Sequence, residues 1–115
     1  MKWWQQRTAS DLNISSVVIL ELRYGFELLP AGRRKRDLEA WLDTTIMAKF
    51  AGRIVPVDAD IANLGGKLLA AAKVSGHTAE TADALIAATA IVHGWKLATL
   101  NRKHFERLGV ELVTF

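Results

Sequence analysis

The sequence predicts an α/β layer fold, a mainly parallel sheet flanked by helices. Two observations carry that expectation. Short β-prone segments alternate along the chain with longer segments of helical period, and glycine or proline punctuates the joins. At 115 residues, 50% of them hydrophobic and 23% charged, the chain has the composition of one globular domain with a real core. No internal repeat, low-complexity tract or obvious linker divides it.

The elements follow in order. LNIS (12–15) is a strand candidate, and Ser15 or Ser16 can cap a following helix. VVILELRYGFELL opens with β-branched residues that suit a strand, but Leu20, Glu21, Leu22 and Arg23 favour a helix, which is the expected state. PAG (30–32) is a break. RRKRDLEAWLDTTIMAKFAG then sets Leu38, Trp41, Leu42, Ile46 and Phe50 at helical spacing, and Gly52 stops it. RIVPVD (53–58) reads as a short strand leading to Asp58 or Asp60 as a helix cap. The next helix runs through IANLGGKLLAAAKV, weakened at Gly65-Gly66, and ends at Ser75-Gly76. HTAETADALIAATAIVHG is the following helix and WKLATL a strand. NRKHFERLG is a loop with a short helical turn, and VELVTF a last strand.

Several function classes drop out. No apolar run approaches the ~20 residues of a membrane-spanning helix, and MKWWQQRTASD lacks the apolar core of a secretory signal. The absence of cysteine removes disulfides, thiolate catalysis and cysteine-ligated metals together, which fits a cytoplasmic protein. The net charge of +3 permits an anionic partner without demanding one. That charge is uneven: Arg33-Arg34-Lys35-Arg36 is one cluster, and Arg102-Lys103 with Arg107 another.

At about 100° per residue, Glu80, Asp83, Ala87, Ile91 and Gly94 share one side of their helix, with Leu85, Ala88, Val92 and Trp95 opposite. A helix so apolar must be covered widely, so a carboxylate near its start risks desolvation. Glu80 and Asp83 either complement the helix dipole or face a cation, and both readings stay open. Glu21 sits among apolar residues in the same manner, where pairing with an arginine or exposure to solvent is the plainer reading. Convergent carboxylates suit a hard divalent cation such as Mg²⁺, which keeps several waters. Asn101 directly follows a strand, where α/β folds collect ligands, though asparagine also favours turns. Thr99 is a weaker suggestion at the same strand end, and His104 is a candidate base or phosphate contact, against which a solvated loop histidine is the plainer reading. His77 and His93 have no partners at metal-ligand spacing and receive no role. Arg33, Arg34 and Arg36 open a helix at the end less favourable to cations, which suits phosphate contact or simply a solvated face. Trp3, Trp4, Phe26 and Trp41 suit either core packing or an association surface, with Trp3 and Trp4 pointing to the latter.

ISSVVILELRYGFELLPAGRRK and GHTAETADALIAATAIVHGWKLATLNRKHFERL together resemble the PIN-domain ribonucleases, specifically the VapC/FitB-like toxins of bacterial toxin–antitoxin pairs. The resemblance runs from about Asp11 to Phe115 and implies a single three-layer PIN-like domain over residues 1–115. It implies endoribonuclease activity with Mg²⁺ or Mn²⁺ held by acidic residues. Glu21 and Asp83 match the family's carboxylate ligands, Asn101 falls where relatives carry Asp or Asn, and Glu80 is an additional acid in some members. His104 stands where several members have Asp. Arg33, Arg34, Arg36, Arg102 and Lys103 are the expected RNA contacts, and an antitoxin protein and a second copy in a homodimer are the implied partners. The family opens with a central strand ending in aspartate. MKWWQQ provides neither, so the chain either starts at an internal methionine or is a degenerate member; truncation is the expectation, with the first strand missing and weak or no cleavage. The rival readings are an inactive fragment that dimerises or captures an antitoxin, and an RNA-binding domain that uses its basic clusters alone.

Overall fold

The computed structural model describes residues 12–99 and 101–113. The expected absence of a leading strand and the Trp3–Trp4 surface fall in residues 1–11, outside the described residues. Contacts divide the chain into two compact units, residues 1–56 and 57–115.

In the first unit a short strand, β1 (Ile14–Ser15), runs directly into helix α1 (Ser16–Glu27). Ser15 joins them: its backbone is extended, and its hydroxyl oxygen accepts from the Val17 amide at 3.0 Å. The cap satisfies a donor that the helix start would otherwise orphan, so the β-branched residues Val17 and Val18 lie in helix despite their strand propensity. Strand β2 (Ile54–Val55) pairs with β1 in parallel, Ile14 opposite Ile54 and Ser15 opposite Val55. Pro56 has no N–H with which to lengthen that ladder, so the strand expected over 53–58 is shorter.

Between the strands, α2 (Arg33–Ala40), a π-helical stretch Trp41–Ile46 and α3 (Met47–Lys49) form one helical run. In the widened stretch the Met47 amide donates to the Leu42 carbonyl, five residues back, and the Thr44 hydroxyl donates to the Ala40 carbonyl at 2.6 Å. The expected apolar period holds through it. Leu42 and Phe50 are buried, while Phe26 and Trp41 meet edge to face at 6.3 Å with Trp41 still exposed.

The second unit is built on two helices, α4 (Ala59–Val74) and α5 (Thr81–His93), packed along each other. Asp58, rather than Asp60, caps α4 by accepting from the Ile61 amide at 3.0 Å. Gly65 lets the helices approach: a Cβ there would lie 3.0 Å from Leu85 Cδ2. Ile61, Ala84, Ala87 and Ala88 have no exposed surface and form the centre of this core. Burying a side chain the size of Ile61 contributes roughly 1.5–3 kcal/mol.

Two expectations change in this unit. The helix expected from His77 begins only at Thr81, because α4 ends in a Schellman turn that redirects the chain. Gly76 takes φ +85°, its amide donates to the Lys73 carbonyl at 3.0 Å, and the His77 amide donates to the Ala72 carbonyl at 2.9 Å. Glu80 is therefore the extended residue before α5 rather than a member of its first turn. The strands expected at WKLATL and VELVTF reduce to one parallel bridge, Leu97 with Leu112. The Arg102 guanidinium donates to the Val113 carbonyl at 3.1 Å, taking an acceptor that a neighbouring strand would use. Leu100, Thr114 and Phe115 lie outside the described residues. The short turn expected within NRKHFERLG is helix α6 (Arg102–Phe105). Both pairings are parallel, as the layer fold requires, and no helix among the described residues is long and apolar enough to cross a membrane.

Candidate active site

The second unit contains a cleft of about 220 Å³ lined mainly by the His77–Glu80 connection, the start of α5 and the α6 region. Its acidic side is Glu80 and Asp83, and its basic side is Lys103, His104 and Arg107. Ala72 and Leu108, both buried, belong to the apolar part of the wall.

Asp83 lies in the first turn of α5, two residues past Thr81, and its side chain is 14% exposed. The next residue, Ala84, has no exposed surface, so the helix cannot rotate Asp83 into solvent without exposing its core. His104 Nδ1 stands 3.5 Å from Asp83 Oδ2 and contributes charge only when protonated. Burial pushes the Asp83 carboxyl above the ordinary carboxylate range; His104 opposes that rise and Glu80 adds to it. The helix dipole favours an anion at this position, and a cation beside Asp83 would offset the desolvation directly.

The opposite side is anchored by burial. Phe105 and Leu108 are core residues, so the α6 segment is fixed on both sides of Arg107. Arg107 Nη1 lies 2.6 Å from His77 Nδ1, and His77 is itself held by the Schellman turn at Gly76. The sequence offers His104 as a candidate base or phosphate contact and gives His77 no role. The signal for His77 is available in Ser75-Gly76, a helix stop that His77 directly follows; the contact with Arg107, 30 residues later, has no local signature.

The cleft gathers Asp83, Glu80, Lys103 and His104 from among the residues the sequence singles out. Asn101 is exposed just before α6, its amide donating to Thr99 Oγ1 at 3.0 Å and its carbonyl accepting from the His104 amide at 3.0 Å. It has the turn chemistry that asparagine favours and is not among the cleft-lining residues. Arg102 is drawn to the Val113 carbonyl. Glu21 lies on α1 and Arg33, Arg34 and Arg36 on α2, exposed in the first unit.

Among the described residues no three histidine, aspartate or glutamate side chains gather as a metal cluster. Glu80 and Asp83 are the two carboxylates that line this cleft.

The sequence and the whole structure have close counterparts. The PIN-domain family profile matches residues 1–111. The chain is 34% identical over 113 residues to VapC ribonuclease Y4jK of Sinorhizobium fredii, a match covering 98% of this chain and 81% of that protein. It is 35% identical to toxin FitB of Neisseria gonorrhoeae over 103 residues, covering 90% of this chain and 74% of the relative. The crystal structure of FitAcB from N. gonorrhoeae superposes with a TM-score of 0.87 at 33% identity, over 98% of this chain and 81% of that one.

Proposed function

The chain belongs to the PIN-domain family, among the VapC/FitB-like toxins with their three-layer α/β fold, and from that premise we propose that it is a toxin-type endoribonuclease. The reaction is hydrolysis of an RNA phosphodiester, with Asp83 at its centre. The single observation that carries this reading is the desolvated carboxylate of Asp83, held in a cleft beside cationic side chains. A structural role for an aspartate at a helix start would place it in solvent, where the dipole interaction has no desolvation cost.

Asp83 and Glu80 would hold a divalent cation, which when bound polarises the phosphate and lowers the pKa of a nearby water. Asp83 keeps its orientation because the following residues of α5 are locked in the core. Lys103 supplies a cation to the RNA backbone from the other side of the cleft. His104, 3.5 Å from Asp83, orients that carboxylate through Nδ1 and leaves its Nε2 for water or a phosphate oxygen. Glu21 is a further ligand on the strength of its motif match, with Asn101 orienting water or phosphate and the α2 arginines Arg33, Arg34 and Arg36 extending the RNA contacts.

We further propose that both units form one PIN domain and that the chain works with an antitoxin protein and as a homodimer. Leu20, Tyr24 and Leu28, spaced by single turns along α1 and 63–67% exposed, are an apolar stripe suited to a protein partner. The reading is tested by incubating the full chain with single-stranded RNA and Mn²⁺. Cleavage that stops on chelation and is absent from Asp83→Asn supports it. Cleavage that survives either change contradicts it, and partner binding with no cleavage under any metal favours an antitoxin-binding module.

A further inference from the structure

Arg107 differs from the other arginines of the cleft region in what it touches. Arg102 is turned to a backbone carbonyl, whereas the Arg107 guanidinium reaches His77 at 2.6 Å. A guanidinium has only donors and does not lose its proton in proteins, so His77 Nδ1 must be the acceptor and its proton must sit on Nε2. The imidazole in this contact is therefore neutral. It fixes the direction of Arg107 without cancelling its charge.

That arrangement leaves an oriented, uncompensated cation. Among the described residues no carboxylate pairs with Arg107 or with Lys103, although Glu80 and Asp83 line the same cleft. Both ends of the contact are anchored through the backbone. His77 is pinned by its amide bond to the Ala72 carbonyl, and Arg107 is flanked by Phe105 and Leu108, 5% and 2% exposed. One guanidinium N–H is engaged by His77, and the remaining fork is free to grip an anion with two parallel hydrogen bonds.

Resting on the nuclease reading above, we propose that Arg107, aligned by neutral His77 and assisted by Lys103, holds a phosphate of the RNA strand within the cleft. His77 is a positioning residue: it touches the guanidinium, not the RNA. The free ring of His77 presents its Nε2–H away from Arg107, so the pair donates hydrogen bonds only and selects for an anionic acceptor.

The experiment is binding of a short fluorescein-labelled single-stranded RNA to the full 115-residue chain in chelator, across a series of sodium chloride concentrations. Arg107→Gln is expected to weaken binding on the order of ten-fold and to lower the log–log salt slope by about 0.7, the signature of one lost phosphate contact. Arg107→Lys keeps the slope and loses affinity, because the charge remains without the fork. His77→Ala weakens binding with the slope nearly kept, and His77→Asn restores affinity by placing an amide oxygen where Nδ1 stood. Circular dichroism establishes that each variant is folded. Should Arg107→Gln fail to fold, Lys103→Gln and His77→Ala carry the same comparison. A slope and affinity equal to the native chain in the folded variants overturns the proposal, as does absence of RNA binding by the native chain. RNA binding with the predicted slopes but no cleavage under any metal sinks the nuclease reading alone. Cleavage that is insensitive to Asp83 does the same, whereas cleavage and binding indifferent to Arg107 sink only this proposal.

Discussion

Two regions of the molecule gather charge, and they do so in opposite ways. In the first unit, Arg23 on α1 contacts Glu27 at 3.8 Å, Glu39 at 3.7 Å and Asp43, while Lys35 lies 4.0 Å from Glu27. Lys35 also donates to the Glu27 carbonyl at 3.1 Å, tying the start of α2 to the end of α1. In the second unit, the ion-pair partner of Asp83 among the described residues is His104 at 3.5 Å, and Arg107 meets the ring of His77. The first region is a self-satisfying network on an exposed surface; in the cleft, no carboxylate pairs with Arg107 or Lys103 among the described residues. Cationic side chains left without a carboxylate partner in a shared cleft mark a place where a ligand can supply the counter-charge.

Even inside the surface network the carboxylates crowd. Hydrogen bonding with Glu27 pushes the Glu39 carboxyl above its ordinary value, helped by burial and opposed by Lys35 and Arg23. The two cations are outnumbered by three carboxylates, and the Arg23 guanidinium is shared among all three.

The contrast breaks most visibly at Asp83. Asp83→Asn should reduce RNA cleavage by on the order of a hundred-fold or more, since it removes a carboxylate that would hold the cation. Asp43→Asn in the surface network should leave the rate within about two-fold, because its partner is Arg23 alone and not the cleft. A rate assay on the two purified variants compares them directly; equal losses would show that the network and the cleft are not different in kind.

A backbone change sharpens the same contrast. Gly76→Ala places a side chain at φ +85°, which should cost about 1 kcal/mol of stability, read as a lower urea midpoint. Because His77 is held through that turn, the substitution should also weaken RNA binding. Gly25→Ala, within α1 and with open space around its Cβ position, should instead stabilise by a few tenths to about 1 kcal/mol.

Stability and function should pull apart at the cleft. The folded-state pKa of Asp83 is raised, so the native chain holds this proton to higher pH than the unfolded chain does. Between the unfolded and folded values the native state binds more protons, and stability falls as pH rises. Above both values the full cost persists, and below both it is gone. Asp83→Asn should therefore raise the melting temperature at neutral pH and flatten its acid-side slope, while abolishing cleavage. A lower melting temperature at neutral pH would show that the carboxylate is stabilised where it stands. The smallest effect is expected from Arg23→Met, at most about 1 kcal/mol in urea unfolding and diminishing with salt, as for other exposed pairs.

Much of this architecture is readable residue by residue before the fold is known. The sequence narrows the helix caps to Ser15 or Ser16 and to Asp58 or Asp60, of which the structure uses Ser15 and Asp58, and the alanine-rich run after Asp83 announces a helix covered on several faces. The parallel pairing follows from strand–helix alternation. What is hidden depends on contacts distant in sequence or on competition for single hydrogen-bond groups. Glu80 leaves the helix because Gly76 and His77 close the previous one, and the last strands shrink because Arg102 occupies the Val113 carbonyl. The π-helical stretch at Trp41–Ile46 keeps the same apolar period as an α-helix over its short length, so periodicity does not reveal it. At the candidate site, the carboxylates were visible as oddities in an apolar context, while the Arg107–His77 contact was not, since neither residue is unusual among its neighbours.

The most direct measurement of the central claim is thermal unfolding of the full chain with increasing Mn²⁺. A cation bound at Asp83 in the folded state must raise the melting temperature, and the rise must keep growing with the logarithm of its concentration once the site is filled. The native chain should show this logarithmic rise, Asp83→Asn should lack it and Asp43→Asn should retain it. An identical response in the native chain and Asp83→Asn, whether a rise or none, would contradict the assignment of this cleft as the metal-dependent active site.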